Sequence, residues 1–192
     1  MKLTNRETWG LIHGLILGAT FLLAFAGGLA GLYSYRNQWM TEEGTAERVR
    51  RLSVGFWVMA VAAWGTVITG TWIVYPWYRE VLAKVGDDKL AGCADALLPI
   101  PGKCSPKEFL VSNVSGNTES WHEFGMEWKE HIALLAPMLA TSAAFIVVYY
   151  GRKLATASGV RRLAIWLFVL AFATAAVAGV LGALITKVAP VK

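Results

Sequence analysis

The chain has 192 residues, 56% of them hydrophobic and only 16% charged, with a formal net charge of +5. That composition, with long charge-poor stretches, describes an integral membrane protein and excludes a soluble globular domain. The positive balance is concentrated in short loops between apolar stretches, so it reports membrane topology rather than nucleic-acid binding.

Four stretches, near 7–33, 54–81, 127–150 and 163–188, meet the roughly 20 residues needed to cross a core of about 30 Å at about 1.5 Å per residue. The expected architecture is an all-α, four-helix transmembrane bundle, a single membrane domain over 1–192. The first stretch has Lys2 and Arg6 before an apolar run with Ala24, Ala26 and Gly27, as a signal peptide would. It is longer than a secretory core of about 7 to 15 residues and carries His13 near its start, so it is read as a retained helix. Gly10, Gly14 and Gly18 form a stripe beside His13. Small residues at this spacing admit either a neighbouring helix or a flat cofactor.

The next loop holds Arg36, Arg48, Arg50 and Arg51. In the second stretch, Trp64 and Trp72 read as packing residues, and Gly65 and Gly70 are ambiguous between packing and cofactor roles. Pro76 cannot donate to the carbonyl of Trp72. Arg79 follows at the surface, either snorkelling or paired with a haem propionate.

Segment 82–126 is too short and too poor in strand pattern for a separate enzyme domain. Its Cys93 and Cys104, flanked by Gly92, Pro99, Pro101 and Gly102, suit a disulfide in an oxidising compartment. Its lysines Lys84, Lys89, Lys103 and Lys107 are nearly balanced by Asp87, Asp88, Asp95 and Glu108.

The approach to the third stretch, from Glu119 to His131, is the most polar and most unusual part of the chain. Glu119 and His122 make an ExxH, but a carboxylate dimetal bundle needs a second one, which is missing. Glu127 stands four residues before His131 and is expected to accept a hydrogen bond from its ring. His122 is read first as a solvent-exposed group, and otherwise as an alternative ligand or part of a quinol or partner contact. Pro137 cannot donate to the carbonyl of Ala133, so the third helix is expected to bend there, opening room beside a cofactor. The following loop holds Arg152, Lys153, Arg161 and Arg162, and the fourth stretch carries Gly179 and Gly182.

Two short loops rich in arginine and lysine are assigned to the cytoplasm, which puts both termini and the 82–126 loop on the outer, periplasmic side. Trp9, Trp77 and Trp128 then mark the outer belt, with Trp39 and Trp166 on the inner side. His13 lies four residues past Trp9 and His131 three past Trp128, so both imidazoles are expected roughly 5 to 6 Å inward of the belt. Two imidazoles at one depth suit the axial positions of a haem iron, and an ionisable residue within a span is a functional candidate by default. There is no CxxCH, CxxC, phosphate loop or zinc-protease motif. No charged residue occupies the middle of a span, which argues against an ion or proton conduit across the bilayer.

This pattern resembles four-helix membrane b-type cytochromes and the cytochrome-b-like anchor subunits of respiratory complexes. The resemblance is carried by His13, His131, the glycine-rich first helix and the four-span layout. It implies haem b, ligated by His13 and His131 with His122 as alternative, beside Gly10 and Gly14 and with Arg79 at a propionate. Many such cytochromes hold two haems on four histidines, whereas this chain has three histidines in all, leaving room for one bis-histidine haem. It further implies a redox subunit of the bacterial inner membrane, passing electrons near the outer face between quinol and a periplasmic cytochrome or partner subunit. Substrate chemistry would then belong to another subunit. Two other readings stand beside it: a cofactor-free structural subunit of a larger membrane complex, and a quinone-binding subunit using His122, His131 and Glu127 without haem.

Overall fold

A computed structural model describes residues 5–35, 41–79, 107–108 and 120–187, and at 5–7, 42–43, 77 and 186–187 it describes the backbone alone. Arg36, Trp39, Glu119 and most of the 82–126 loop, with Cys93, Cys104 and their expected disulfide, lie outside the described residues.

Every described element is helical. Four helices are long and apolar enough to cross a membrane: α1 (Thr8–Ser34), α2 (Gly44–Val74), α3 (Trp121–Ala155) and α4 (Ser158–Ile185). The four expected spans are present, but α2, α3 and α4 begin earlier than near 54, 127 and 163. Hydropathy marks where side chains turn polar, not where the helix starts. Charged side chains reach water from a helical backbone, so exposed residues such as Arg48, Arg50 and Glu123 extend a helix beyond its apolar part.

Local chemistry sets the ends. Thr41 caps the helix that leads into α2, its hydroxyl accepting from the Gly44 amide at 3.2 Å. Gly151, at φ 46°, stops the α-helical part of α3 after Tyr150. A short 3₁₀ turn follows, and Arg161 donates from one nitrogen to the carbonyls of Leu154 (3.2 Å) and Ala155 (2.8 Å), which would otherwise lack partners. Within the spans, the hydroxyls of Thr20, Thr66, Thr141, Ser142 and Thr174 each donate to the carbonyl four residues back. Polar side chains are thereby satisfied inside their own helix, as a hydrocarbon surrounding requires.

Both proline expectations have counterparts. Ahead of Pro76 the helix widens into a π-turn over Gly70–Val74, where the Tyr75 amide reaches five residues back to Gly70. In α3 regular hydrogen bonding is interrupted at Leu134, between Met126–Ala133 and Leu135–Tyr150, where Pro137 has no N–H for Ala133.

Contacts divide the chain into two compact units, the first of Met1–Val67 and Ile132–Ala176, the second of Ile68–His131 and Val177–Lys192. In the first, parts of all four helices share one core. Alanines at 60, 62 and 63 of α2, 140, 143 and 144 of α3, and 164 and 171 of α4 are buried there and let backbones approach. Phe168 stacks on Phe56 at 4.1 Å and on Phe25 at 5.1 Å. Trp64, read from the sequence as a packing residue, donates from its indole nitrogen to Thr141 at 3.1 Å and so ties α2 to α3. Outward-facing residues such as Leu23, Val61, Phe145 and Val180 are exposed and apolar, which suits a lipid surrounding.

Gly28 sits directly against the stacked rings of this core: a Cβ there would stand 2.7 Å from the Phe168 ring and 3.0 Å from Phe56. The two rings are stacked and have nowhere to go. Gly28→Ala should therefore cost about 1–3 kcal/mol by overpacking, read as a lower midpoint in detergent unfolding. Gly31→Ala meets only the mobile end of Leu52 and should cost less.

Candidate functional site

The polar chemistry of the second unit gathers on the helical turn after α2, Tyr75–Arg79, and on the first three turns of α3. Its centre is His122. This imidazole, expected at the surface, is only 1% exposed. The correction has a specific cause: the Tyr78 hydroxyl lies 2.7 Å from His122 Nδ1, and the two rings stack at 5.8 Å. Tyr78 is 44 positions away in sequence, so no local pattern announces the pair.

Burial pushes the Tyr78 phenol well above its ordinary range, with Tyr75 and Glu130 adding to the rise and Arg79 opposing it. Tyr78 therefore keeps its proton and acts as a donor. It has two acceptors at hand, His122 Nδ1 at 2.7 Å and the His122 carbonyl at 3.5 Å. When the phenol donates to Nδ1, a neutral ring carries its hydrogen on Nε2. When Nδ1 carries the hydrogen, Nε2 becomes an acceptor. That Nε2 atom is buried and has no hydrogen-bond partner among the described residues.

A second chain of contacts runs beside the first. Arg79 donates to the Tyr75 hydroxyl at 2.9 Å, and that hydroxyl donates to the Glu130 carboxylate. Burial first, and then the bond to Glu130, raise the Tyr75 phenol above its usual value against the pull of Arg79. Arg79 also lies over the Tyr75 ring, 5.6 Å from its centre. It is thus an exposed but anchored guanidinium rather than a freely snorkelling one. Lys129 lies against α4: a Cβ on Gly182 would stand 3.2 Å from its Nζ and 3.3 Å from its Cε. Of the two glycines left ambiguous in α4, Gly182 accommodates a lysine and Gly179 faces open space.

His131 is exposed, and its Nδ1 lies 2.8 Å from the backbone carbonyl of Glu127. The expected orienting contact exists, but the carbonyl provides it instead of the Glu127 carboxylate, because the i to i−4 spacing brings the ring over its own helix backbone. With Nδ1–H donating there, Nε2 is the nitrogen left to bind a metal.

In the first unit, His13 is half-buried within a π-turn, Ile12–Ile16. A Cβ placed at Gly10, Gly14 or Gly18 would meet nothing within 4 Å. The stripe is therefore no helix contact among the described residues. Gly65, by comparison, packs on Leu17 at 3.5 Å. His13 and His131 belong to different units.

Sequence reasoning missed the π-turns. Three of them, Ile12–Ile16, Gly70–Val74 and Trp121–Gly125, adjoin or contain the residues just described, and each includes a glycine: Gly14, Gly70 and Gly125. Single π-turns inside α-helices recur at functional sites. The available signal was a glycine, a poor helix former, within each of these segments. Among the described residues no group of three or more metal-ligating side chains occurs.

Removing the Tyr78 hydroxyl would leave a buried imidazole without its Nδ1 partner. Tyr78→Phe should cost about 1–3 kcal/mol, measured by unfolding in detergent. The pH dependence has a definite sign. A phenol raised in the folded state supports stability fully below its unfolded value of about 10, and that support is lost as pH rises above it. The alkaline fall in melting temperature should accordingly be shallower in Tyr78→Phe than in the parent chain.

No protein-family model, curated protein or solved structure matches this chain, so its own residues carry the functional reading.

Proposed function

We propose that this chain is a membrane electron-transfer subunit that holds one b-type haem near the outer face and passes electrons between quinol and a periplasmic or partner-subunit carrier. The observation that carries the reading is the 2.8 Å contact from His131 Nδ1 to the Glu127 carbonyl. It fixes the tautomer that an axial ligand needs and turns Nε2 outward from an exposed ring. Each unit contributes residues of the kind such a group uses. Within the second unit, His131 offers an imidazole nitrogen and Arg79 a guanidinium of the kind that binds a carboxylate; within the first, His13 lies beside an open face at Gly10 and Gly14 that a flat apolar macrocycle could use. The pairing of His13 with His131 rests on the equal depth argued from helical rise. When bound, haem supplies one-electron transfer at a potential set by its ligands and burial.

A second reading, a quinone-binding subunit without haem, is favoured by the buried and unpartnered Nε2 of His122. Its phenol-linked tautomers would let one nitrogen donate to a quinone carbonyl or accept from a quinol hydroxyl.

Purified protein from cells grown with ample haem should show a Soret band and, on reduction, a sharp alpha band. His131→Ala and His13→Ala should each abolish the bands, while His122→Ala should keep them. A colourless protein that retains quinone, and loses it in His122→Ala, would replace the first reading with the second. Loss of the bands in His122→Ala and their survival in His131→Ala would move the ligand to His122.

A further inference from the structure

The start of α3 carries an imidazole enclosed by protein and supported by a phenol from outside its own helix. His122 is 1% exposed and lies in the π-turn Trp121–Gly125. The Tyr78 hydroxyl stands 2.7 Å from its Nδ1, and the two rings stack at 5.8 Å. Because Tyr78 belongs to the turn Tyr75–Arg79, this contact ties the beginning of α3 to the segment that follows α2. The phenol donates, Nδ1 accepts, and Nε2 carries the ring hydrogen without a partner among the described residues. Every part of that arrangement requires a neutral ring.

One added proton reverses it. On a charged imidazole both nitrogens are donors, so Nδ1 stops accepting. The phenol hydrogen is then left with the His122 carbonyl at 3.5 Å, too long for a good hydrogen bond, and the Nε2 hydrogen is still unmet. Nothing described nearby compensates the charge. Lys107, in the described 107–108 segment, acts on the ring with the same sign, Glu123 on the same helix is exposed, and the Glu130 carboxylate is taken by the Tyr75 hydroxyl, which Arg79 also holds. An enclosed charge without a counter-charge is costly, so a protonated ring gains by reaching water.

Water is close and the backbone gives way easily here. His122 stands six residues before Trp128, the aromatic at this end of the apolar part of α3, so it lies about 9 Å toward the water from that ring. The π-turn that carries it is an irregular helical turn containing Gly125, and helix ends open at less cost than helix middles.

We propose that the first turn of α3 is an acid-opened latch, closed while His122 accepts from Tyr78 and released when the ring gains a proton, so that this end of the second unit responds to the pH on its own side of the membrane. The haem reading uses His13 and His131; the latch depends on neither a metal nor a quinone.

The sign is definite. A ring neutral when closed and free to charge when open supports the closed form above the unfolded imidazole value of about 6.5, and that support is lost as pH falls below it. Between pH 7.5 and 5.5 the open form gains about tenfold. The test is hydrogen–deuterium exchange of residues 121–126 in the full chain in nanodiscs at those two pH values, with times scaled for intrinsic exchange. Protection should fall about tenfold at pH 5.5 in the parent chain. His122→Gln, whose amide oxygen accepts from Tyr78 without titrating, should remove the fall, while His13→Gln and His131→Gln should keep it. No fall in the parent, or the same fall in His122→Gln, would overturn the latch. Nitrogen-15 NMR of the parent gives a check that needs no folded variant: the His122 ring should become charged over the interval in which protection is lost, and a ring that charges while 121–126 stays protected would equally overturn it.

Discussion

Within hydrocarbon, each backbone N–H and C=O must find its partner in the protein, and nearly everything described here follows from that constraint. It explains why every described element is a helix and why the mid-span hydroxyls turn back onto their own carbonyls. It also dictates how the prolines are accommodated. Pro76 and Pro137 each remove a donor, and the chain answers with a widened turn near the end of α2 before one and a break within α3 before the other. Irregularity in a membrane helix is tolerated where side chains or water can meet the freed groups, and the π-turns of α2 and α3 are also where polar residues collect.

That coincidence gives the second unit its character. The π-turn of α3 contains His122, and the turn after the π-turn of α2 presents Tyr75, Tyr78 and Arg79. The result is two short hydrogen-bonded chains, Tyr78 with His122 and Arg79 through Tyr75 to Glu130. In each, a tyrosine whose phenol is raised by burial holds its proton: Tyr75 links Arg79 to Glu130, and Tyr78 donates to His122. The exposed His131, held by its own helix backbone, is a different kind of group. Its ring is oriented by local geometry alone, whereas that of His122 depends on a residue from another helix. The two histidines thus offer distinct chemistry, an outward nitrogen suited to a metal and an enclosed one suited to hydrogen-bond exchange.

The first unit is built on contrary terms. Its core is alanine and stacked phenylalanine, with little room at Gly28 and little polarity beyond the Trp64 to Thr141 bond. Charge returns at its end, where Arg48 and Arg161 meet the carbonyls of Ser34, Leu154 and Ala155. A basic loop in a membrane protein therefore need not be only a topological signal. Here Arg50 and Arg51 contact Glu47, while Arg48 and Arg161 reach backbone carbonyls.

Composition and length were enough for the four spans, because burying backbone in about 30 Å of hydrocarbon takes a helix of known length whatever its neighbours are. The proline irregularities were also legible, since the missing donor is a property of the residue itself. So were the packing role of Trp64 and the existence of a contact between His131 and the residue four before it, which follows from helical spacing. Helix starts were misjudged by hydropathy, because Arg48 and Glu123 continue a helix while their charges reach outward. The burial of His122 and the anchoring of Arg79 were not legible at all. Each depends on which side chain arrives from a distant part of the chain, and a pairing such as Tyr78 with His122, 44 residues apart, leaves no periodic trace in sequence. Local chemistry settled what each helix is, and tertiary packing alone settled which polar groups it encloses, because burial is a property of the neighbours and not of the residue.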